Sequence, residues 1–400
     1  MAEIVVVGAG PAGTSFAYFA SKFGFDVKIF DFMPLSKVWS KPCGDAIGQE
    51  TFQRIPLPEP RGREIKARIE KALIYSPDYQ FTVSVRGKGY IIDRVRYGRR
   101  VLEKALEYGA EFIQKPVLAP VVERGRVAGV KYDGGKERAQ LVVDASGVAG
   151  VIKSKLPRNW PVAEPVREKM LAFRGILELE DKPERDVIKA YTDQKLAPKG
   201  YWWEFPEGDG VVNVGLGVRP DYRGQLFPNY RKILERYRVR KILEERGAYD
   251  PVQRPPLSLV GPGILVLGDA APTVDPLTGG GMGSTFEAAF LAARNLERVS
   301  EEGWTYEALW SMNEYMREGG AKQARDDVLK LWLWKASEAE IKRALEIARN
   351  MNFFKLLTSP KLGKVALLAH RVEQHYRKYP ENPEKLEGWA RELEKLYNSF

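Results

Sequence analysis

The chain has 400 residues and a formal net charge of +10, from 63 basic and 53 acidic side chains. A hydrophobic fraction of 44% with 29% charged residues excludes a disordered or collagen-like protein, and no apolar run is long enough to span a membrane. The basic excess suits phosphate-bearing or membrane partners, or a thermophile surface, but no like-charge block or recognisable motif indicates a nucleic-acid partner.

The first thirty residues predict a dinucleotide-binding unit. Ile4–Val7 is typical of a buried parallel strand, a helix follows, and Val27–Phe30 predicts a second strand. Between the first strand and the helix, Gly8, Gly10 and Gly13 have G-x-G-x-x-G spacing. Such glycines allow a tight turn, close approach to a pyrophosphate and close packing of helix on strand.

Further residues complete this unit. Pro11 and Ala12 open the helix, whose N-terminus attracts phosphate charge. Asp31 ends the second strand and would accept hydrogen bonds from the ribose hydroxyls of an adenosine. These residues indicate a dinucleotide but leave NAD and FAD open.

The stretch "KPCGDAIG", residues 41–48, holds Cys43, the single cysteine of the chain. A single cysteine argues against a disulfide scaffold and favours a cytoplasmic protein. Cys43 is either a small buried hydrophobic residue or part of a wall beside a cofactor. Gly44 and Ala46 are small enough to let the backbone approach that cofactor closely.

The middle of the chain continues the same pattern. Residues 90–113 predict a short strand and then a helix, and the following segment predicts hairpin strands and a last parallel strand into Asp144. Arg94 and Arg100 both lie in the predicted helix region. Arg94 is either a diphosphate contact or a charge at a strand end, and the two readings stay open.

The most distinctive later stretch is "PKGYWWEFPEGDGVVNVGLG", residues 198–217. On a strand, Tyr201, Trp203 and Phe205 share one face because side chains alternate with period two. Such a face is either plain core or the wall of a ligand site. The next strand carries Gly215, and its small residues would leave space for a ligand.

A second glycine motif follows a third buried strand, Ile264–Leu267. Asp269 comes directly after that strand, and a loop then leads to a glycine cluster and an Ala-rich helix that includes Gly281 and Met282. The cluster presents bare backbone amides at a helix start, beside an anionic or electron-rich group. From about residue 304 the pattern is helical.

Two segments of the helical region are unusually apolar, 328–336 ("VLKLWLWKA") and 352–359 ("NFFKLLTS"). They either pack on the other domains, or wall a lipid tunnel or dip into a membrane surface. His370 and His375 also lie here, far in sequence from every glycine motif, and we expect them at the surface or in helix packing.

The second glycine motif resembles the second FAD fingerprint of the para-hydroxybenzoate hydroxylase-like superfamily. The resemblance implies FAD, with Asp269 on the ribityl hydroxyls and with Gly281 and Met282 at the pyrimidine edge of the flavin. It also implies Arg100 on the diphosphate and the backbone of Val122 beside the adenine.

The combination of both glycine motifs, "KPCGD" and P-x-x-Y-x-W-x-F-P resembles the geranylgeranyl reductase family over nearly the whole chain. This resemblance implies FAD reduced by an external donor (NADPH, ferredoxin or another reductant) and used to saturate isolated double bonds of a polyprenyl lipid or diphosphate, as in archaeal ether-lipid synthesis. It implies substrate contacts by Tyr201, Trp203, Phe205 and Gly215, and a place beside the flavin for Cys43.

An isolated alkene has no carbonyl to stabilise, so the reaction needs a hydride source and a proton donor in a dry, oriented site. Cys43, Tyr201 and a bound water are the candidate proton donors. The faces of Trp203 or Tyr201 could ease developing positive charge on the alkene. Cys43, Tyr201 and Trp203 are therefore the predicted catalytic residues.

Two other functions stay open: a flavin monooxygenase or halogenase of the same superfamily, and a flavoprotein that binds polyprenyl lipid without converting it. The predicted fold is α/β, with a Rossmann-type FAD-binding domain (1–60, 90–150 and 261–300), an inserted antiparallel-sheet substrate domain (61–89 and 151–260) and a helical C-terminal domain (301–400). The expected location is the cytoplasm, with peripheral contact to the inner face of the cell membrane as a further option.

Overall fold

The computed structural model describes residues 2–350 and 360–400. Its strands are β1 (Ala2–Val7), β2 (Val27–Asp31), β3 (Ala46–Gly48), β4 (Ile65–Tyr75), β5 (Thr82–Ile92), β6 (Glu111–Gln114), β7 (Val117–Glu123), β8 (Arg126–Tyr132), β9 (Gly135–Asp144), β10 (Met170–Leu179), β11 (Val187–Tyr191), β12 (Tyr201–Pro206), β13 (Val211–Val218), β14 (Val239–Asp250), β15 (Val260–Gly261) and β16 (Ile264–Val266). Its α-helices are α1 (Pro11–Lys22), α2 (Glu50–Arg54), α3 (Arg94–Glu107), α4 (Leu226–Leu234), α5 (Met282–Ala293), α6 (Leu296–Glu301), α7 (Tyr306–Leu309), α8 (Tyr315–Lys335), α9 (Glu338–Arg349), α10 (Pro360–Arg377) and α11 (Leu386–Asn398).

The first sheet has the order β15-β16-β9-β1-β2-β6, and the pairs from β16 to β6 are parallel. Ile4, Val5 and Val6 of β1 are fully buried, as a central parallel strand requires. An added Cβ on Gly13 of α1 would contact Val6, so α1 covers that face of the sheet. The β7–β8 hairpin covers the other face, because Tyr132 packs against Phe30 at 5.0 Å between ring centroids.

The second sheet has the order β14-β10-β13-β12-β11-β4-β5-β3. Its pairs are antiparallel except for β11 and β4, which run parallel. β12 and β13 pair directly, as the sequence predicts for residues 201–218. The predicted α/β fold with an inserted, largely antiparallel sheet is confirmed.

One strand joins the two parts of the molecule. β3 lies within the segment 1–60 that the sequence assigns to the FAD-binding domain, yet it pairs with β5 at the edge of the second sheet. The same sheet takes in residues 90–92 of β5. The exact boundaries of the three-part division therefore stay a prediction.

The C-terminal region is helical, as predicted. α8 and α10 pack along each other, and buried side chains such as Val328, Val372 and Tyr376 join their contact to the main core. Within residues 2–350 and 360–400, no helix is both long enough and apolar enough to cross a membrane.

Candidate active site

A cavity of about 1710 Å³ begins at the first sheet, runs along one face of the second sheet and continues to the C-terminal helices. Typical sites for one drug-sized ligand measure roughly 300–1,000 Å³, so this cavity has room for more than one bound group. Its lining includes Gly10, Cys43, Trp203 and Leu333, which belong to three different parts of the chain.

The first glycine motif forms one end of the cavity. Gly8 has a φ of +101°, and an added Cβ there would lie 2.4 Å from the carbonyl oxygen of Ala145. Gly10 lines the cavity, and an added Cβ there would meet nothing within 4 Å, so this backbone is open to a ligand. Gly13 does not line the cavity. It faces the turn instead, where an added Cβ would lie 1.9 Å from the carbonyl oxygen of Gly8. Gly13 thus serves the packing of helix on turn.

Asp31 lies beside this turn and lines the cavity together with Pro11 and Ala12. Its carboxylate accepts hydrogen bonds from the backbone N–H of Ala9 at 2.6 Å and of Met33 at 2.7 Å. Each oxygen uses one lone pair in this way, which leaves a second one for a ribose hydroxyl.

The second glycine motif packs against the first. An added Cβ on Gly268 would lie 2.8 Å from the Cβ of Ala12, so the two turns are in contact. The next residue, Asp269, lines the cavity and accepts a hydrogen bond from Lys41 at 2.5 Å. Gly281 precedes α5 without a side-chain cap, as Gly10 precedes α1. Two uncapped helix starts and an open glycine backbone in one elongated cavity fit FAD.

The loop that carries Cys43 forms the middle of the cavity. Cys43, Gly44 and Ala46 all line it. An added Cβ on Gly44 would lie 2.6 Å from Cε2 of Phe205, so the glycine lets the loop contact that ring. Burial raises the pKa of the Cys43 thiol, and the nearby Arg94 guanidinium opposes part of this rise. Cys43 is therefore a neutral thiol at the cavity surface.

Of the two candidate arginines on α3, the structure brings Arg94 to the cavity and Arg100 away from it. Arg94 is buried, lines the cavity and donates to the carbonyl oxygen of Trp39 at 3.2 Å. Arg100 binds Glu64 through Nε at 2.5 Å and does not line the cavity. Six residues correspond to about 240° around a helix, so the two side chains leave it on different faces.

Two other predicted residues do not line the cavity. Val122 is 45% exposed on β7, and that strand contributes Val117 to the cavity wall instead. Gly215 lies beneath Trp203, where an added Cβ would come within 2.4 Å of the indole Cζ2. Gly215 therefore supports the aromatic wall from behind, while Gly217 of the same strand faces the cavity.

The aromatic face of β12 is confirmed. Tyr201, Trp203 and Phe205 all line the cavity, with ring centroids 6.0 Å apart for the first pair and 6.3 Å for the second. Trp202 points to the opposite side of the sheet, where it stacks on Tyr191 at 3.5 Å. The three aromatic side chains form a continuous apolar wall between the Cys43 loop and the helical end.

Asn213 is a functional candidate that the sequence reasoning missed. It is fully buried on β13, accepts a hydrogen bond from the indole N–H of Trp203 at 3.0 Å and donates to the carbonyl oxygen of Cys43 at 2.8 Å. It thus ties the aromatic wall to the Cys43 loop. A lone polar residue within the apolar run "VVNVGLGV" was the signal, since a buried amide needs partners.

The sequence reasoning also missed a cluster of three charged side chains at the cavity. Lys41 bridges Asp269 and Asp250, with its Nζ 3.8 Å from Oδ1 of Asp250. Burial raises the pKa of Asp250 to about 6, with Lys41 opposing the rise and Asp269 adding to it. Asp250 lines the cavity at the end of β14, close enough to Cys43 for its charge to raise the pKa of the thiol.

The far end of the cavity is apolar and helical. Leu329, Trp332, Leu333 and Trp334 of the apolar segment 328–336 line it, together with Val365 of α10. The other apolar segment, 352–359, lies outside the described residues. His370 is exposed on α10, as expected for a surface residue, and it also lines this end of the cavity. His375 stacks on Trp389 at 4.8 Å, as expected for helix packing.

The fold and the cavity together define an FAD-dependent oxidoreductase with an apolar substrate site. The geranylgeranyl reductase catalytic domain model matches residues 171–249, which include the aromatic wall. A digeranylgeranylglycerophospholipid reductase of Sulfolobus acidocaldarius is 32% identical, over 100% of this chain and 98% of that protein. The chain belongs to the geranylgeranyl reductase family.

Other relatives agree with this assignment. A digeranylgeranylglycerophospholipid reductase of Methanopyrus kandleri is 31% identical over 75% of this chain and 78% of its own. A geranylgeranyl bacteriochlorophyll reductase-like structure from Thermoplasma acidophilum has a TM-score of 0.80 at 22% identity and covers 99% of both chains. A flavin-dependent brominase, with a TM-score of 0.66 at 16% identity over 100% of both chains, shares the fold.

Proposed function

We propose that this protein saturates isolated double bonds in the geranylgeranyl chains of archaeal ether-lipid precursors, with FAD as its cofactor. The observation that carries the proposal is one continuous cavity, which joins two FAD-type glycine motifs to an apolar helical end across the Tyr201–Trp203–Phe205 wall. A polyprenyl chain is long, flexible and apolar, and this cavity offers it an elongated apolar lining.

The residues that would hold FAD are those of the two glycine motifs, with Asp31 at the ribose, Asp269 at the ribityl chain and Arg94 near the middle of the cavity. When bound, FAD supplies the hydride. The chain's own part is to orient the alkene, exclude water and deliver a proton. Trp203 and Tyr201 would orient the alkene and ease its developing positive charge through their ring faces.

For the proton, we propose the Cys43 thiol over the Tyr201 hydroxyl. The Tyr201 hydroxyl already donates to the carbonyl oxygen of Thr278, and burial raises its pKa. The Cys43 thiol lines the cavity beside Arg94, whose positive charge would stabilise the thiolate left after proton transfer. The step breaks the S–H bond and forms a C–H bond on the carbon that does not take the hydride.

Two finer points belong to the same proposal. We propose an external reductant, such as NADPH or a ferredoxin, because the sequence shows no nicotinamide-binding motif separate from the two FAD-type glycine motifs. We also propose contact with a membrane surface at the helical end, where Leu367 of α10 is 60% exposed beside the cavity-lining Val365. Anaerobic reduction of bound FAD by each donor, and co-sedimentation with lipid vesicles, test these points separately.

The test of function uses the FAD-loaded protein, reduced with dithionite under argon and given a geranylgeranyl glycerophospholipid. Mass spectrometry should show gains of about 2 Da for each double bond reduced. Oxygenated lipid formed in air would instead indicate a monooxygenase, and halogenated product with added halide a halogenase. Lipid that binds and is recovered unchanged would indicate a carrier. Each of these three results would refute the proposed reductase activity.

The role of Cys43 is tested by Cys43→Ser and Cys43→Ala. Both should keep FAD bound, because the thiol lies outside the two glycine motifs. Both should slow saturation or leave partly reduced chains, with serine less affected than alanine if proton transfer is the role. Unchanged rate and unchanged product for both variants would leave Cys43 with a packing role.

A further inference from the structure

Asp45 lies two residues after Cys43 and lines the same cavity. It is 5% exposed and adopts a φ of +60°, a left-handed conformation that is uncommon outside glycine. Its backbone oxygen accepts a hydrogen bond from Ile92, which fixes the loop against β5. Its side-chain Oδ1 is buried and has no hydrogen-bond partner among the described residues. A strained, buried and incompletely paired acid at a cavity wall indicates function.

Charged groups surround Asp45 from several elements. Arg94 of α3 approaches with its Nε 3.8 Å from Oδ1, and Lys66 of β4 with its Nζ 3.8 Å from Oδ2. Both distances exceed a hydrogen bond. Glu207, after β12, binds Lys66 at 2.7 Å, and Arg174 of β10 is also close enough to act on the acid.

These surroundings make Asp45 a proton-exchanging group near neutral pH. Burial raises its pKa to about 6, while Arg94, Lys66 and Arg174 oppose the rise and Glu207 adds to it. The thiol of Cys43 responds to the same neighbours, since burial raises its pKa and the pKa is then affected by Arg94, by the charge and backbone N–H of Asp45 and, less strongly, by the charge of Asp250. Asp45 and Cys43 therefore share one electrostatic environment.

We propose that Asp45 reloads the thiol of Cys43 with a proton after each double bond is saturated. This inference rests on the proposed function. In the step, the O–H bond of the Asp45 carboxylic acid breaks and an S–H bond forms on the Cys43 thiolate, with no change in oxidation state. The Asp45 carboxylate that results lies between two cations and regains its proton from solvent.

The direction of transfer follows from the two acids. A carboxylic acid that titrates near neutral pH gives its proton readily to a thiolate, because the thiol is the much weaker acid. The way to solvent runs past Lys66, whose side chain is 28% exposed and which contacts both Asp45 and Glu207. Asp250 is the rival acid, since its charge also raises the pKa of the thiol, but it acts less strongly than Asp45 and its carboxylate faces Lys41, which also binds Asp269.

The first experiment measures the reactivity of the Cys43 thiol directly and does not require lipid turnover. Cys43 is the single cysteine, so iodoacetamide alkylation of the FAD-loaded, oxidised protein reports on it alone. The logarithm of the rate against pH should show an inflection near pH 6, where Asp45 ionises. Asp45→Asn should remove the inflection and raise the rate at pH 8 by about tenfold, the effect of one pKa unit on the thiol.

Two further variants serve as controls for this experiment. Asparagine tolerates the left-handed conformation, and Asp45→Gly offers a second replacement that adopts it freely, so a folded, FAD-binding variant is available. Asp250→Asn is the matched control, since that acid has a similar pKa and lines the same cavity. Asp250→Asn should reduce the inflection less than Asp45→Asn does, because the charge of Asp250 affects the thiol less than that of Asp45. An inflection that survives both Asp45 replacements at full size, or is reduced more in Asp250→Asn, would overturn the proposal.

The second experiment measures the rate at which successive double bonds of the lipid are saturated. In pre-reduced Asp45→Asn protein, the first double bond should be saturated at close to the wild-type rate, because the thiol starts protonated. Later double bonds, with reductant in excess, should be about tenfold slower, the rate effect of about 1.4 kcal/mol on the barrier. Equal slowing of the first and later bonds would refute the reloading role. Wild-type protein that saturates no lipid would refute the proposed function, while the alkylation profile would still test Asp45.

Discussion

Removal of the Asn213 side chain should uncouple the aromatic wall from the Cys43 loop. In the native structure Asn213 accepts from Trp203 at 3.0 Å and donates to Cys43 at 2.8 Å and to Glu207 at 3.3 Å. Asn213→Ala leaves the indole N–H and the carbonyl oxygen of Cys43 buried without these partners. Neither group can turn to solvent without moving the wall or the loop.

The magnitude follows from those two groups. An unsatisfied buried donor or acceptor costs roughly 1–3 kcal/mol, so with two such groups the free energy of unfolding should fall by about 2–6 kcal/mol. Asn229 of α4 provides a matched control, because it is 5% exposed and its amide donates to the carbonyl oxygens of Lys195 at 3.1 Å and Leu196 at 2.9 Å. It does not line the cavity. Asn229→Ala should lose similar stability.

The two variants should differ in turnover. Urea unfolding followed by tryptophan fluorescence, at one fixed FAD concentration, gives the stability of each. Lipid saturation measured by mass spectrometry should fall about tenfold or more in Asn213→Ala, with FAD still bound, and stay near wild type in Asn229→Ala. Equal turnover in the two variants would refute the positioning role of Asn213.

Three further predictions concern the same region. Gly44→Ala should cost about 1–3 kcal/mol of stability and slow turnover, because its Cβ would lie 2.6 Å from the Phe205 ring. Trp203→Leu should lower turnover about tenfold and leave FAD occupancy near wild type, since a ring face contributes up to about 2 kcal/mol toward a developing cation. For Asp45, whose folded pKa is raised from 3.8 to about 6, stability should fall as pH rises from about 4 to about 6. Asp45→Asn should lose up to about 3 kcal/mol of this pH dependence.

Gly224→Ala is the matched control for Gly44→Ala. Gly224→Ala adds a Cβ that meets nothing within 4 Å, so its stability and turnover should match wild type. If Gly44→Ala behaves like Gly224→Ala, the contact with Phe205 does not constrain the loop. Loss of FAD in Trp203→Leu would place that ring in cofactor binding. Urea midpoints of wild type and Asp45→Asn that change in parallel between pH 4 and 7 would contradict the assigned pKa.

Sequence reasoning reached the parts of the site that are local in the chain. Gly8 and Gly10 have a fixed spacing after a strand, and the alternation of Tyr201, Trp203 and Phe205 follows from the period of a strand. Both patterns are set within a few residues, so they could be predicted without knowledge of the fold.

The parts that could not be predicted depend on distant partners. Asn213 meets Cys43 across 170 residues of chain, and only the fold brings them together. Arg100 binds Glu64, 36 positions away, while Arg94 faces the cavity, although the family resemblance favoured Arg100 for the diphosphate and left the role of Arg94 open. Burial within the fold raises the pKa of Asp250, and Lys41, which reaches it from the Cys43 loop, opposes that rise.

The short strand β3 has a mechanical consequence. It leaves the Cys43 loop and pairs at Ala46, Ile47 and Gly48 with β5, at the edge of the sheet that carries the aromatic wall. β3 and Asn213 therefore tie the loop to this sheet at two separate points, one at the sheet edge and one through a side-chain hydrogen bond to Cys43. Under the proposed function, a chain with several double bonds must move along this sheet between reductions, and the apolar helical end receives the part of the chain that has moved on.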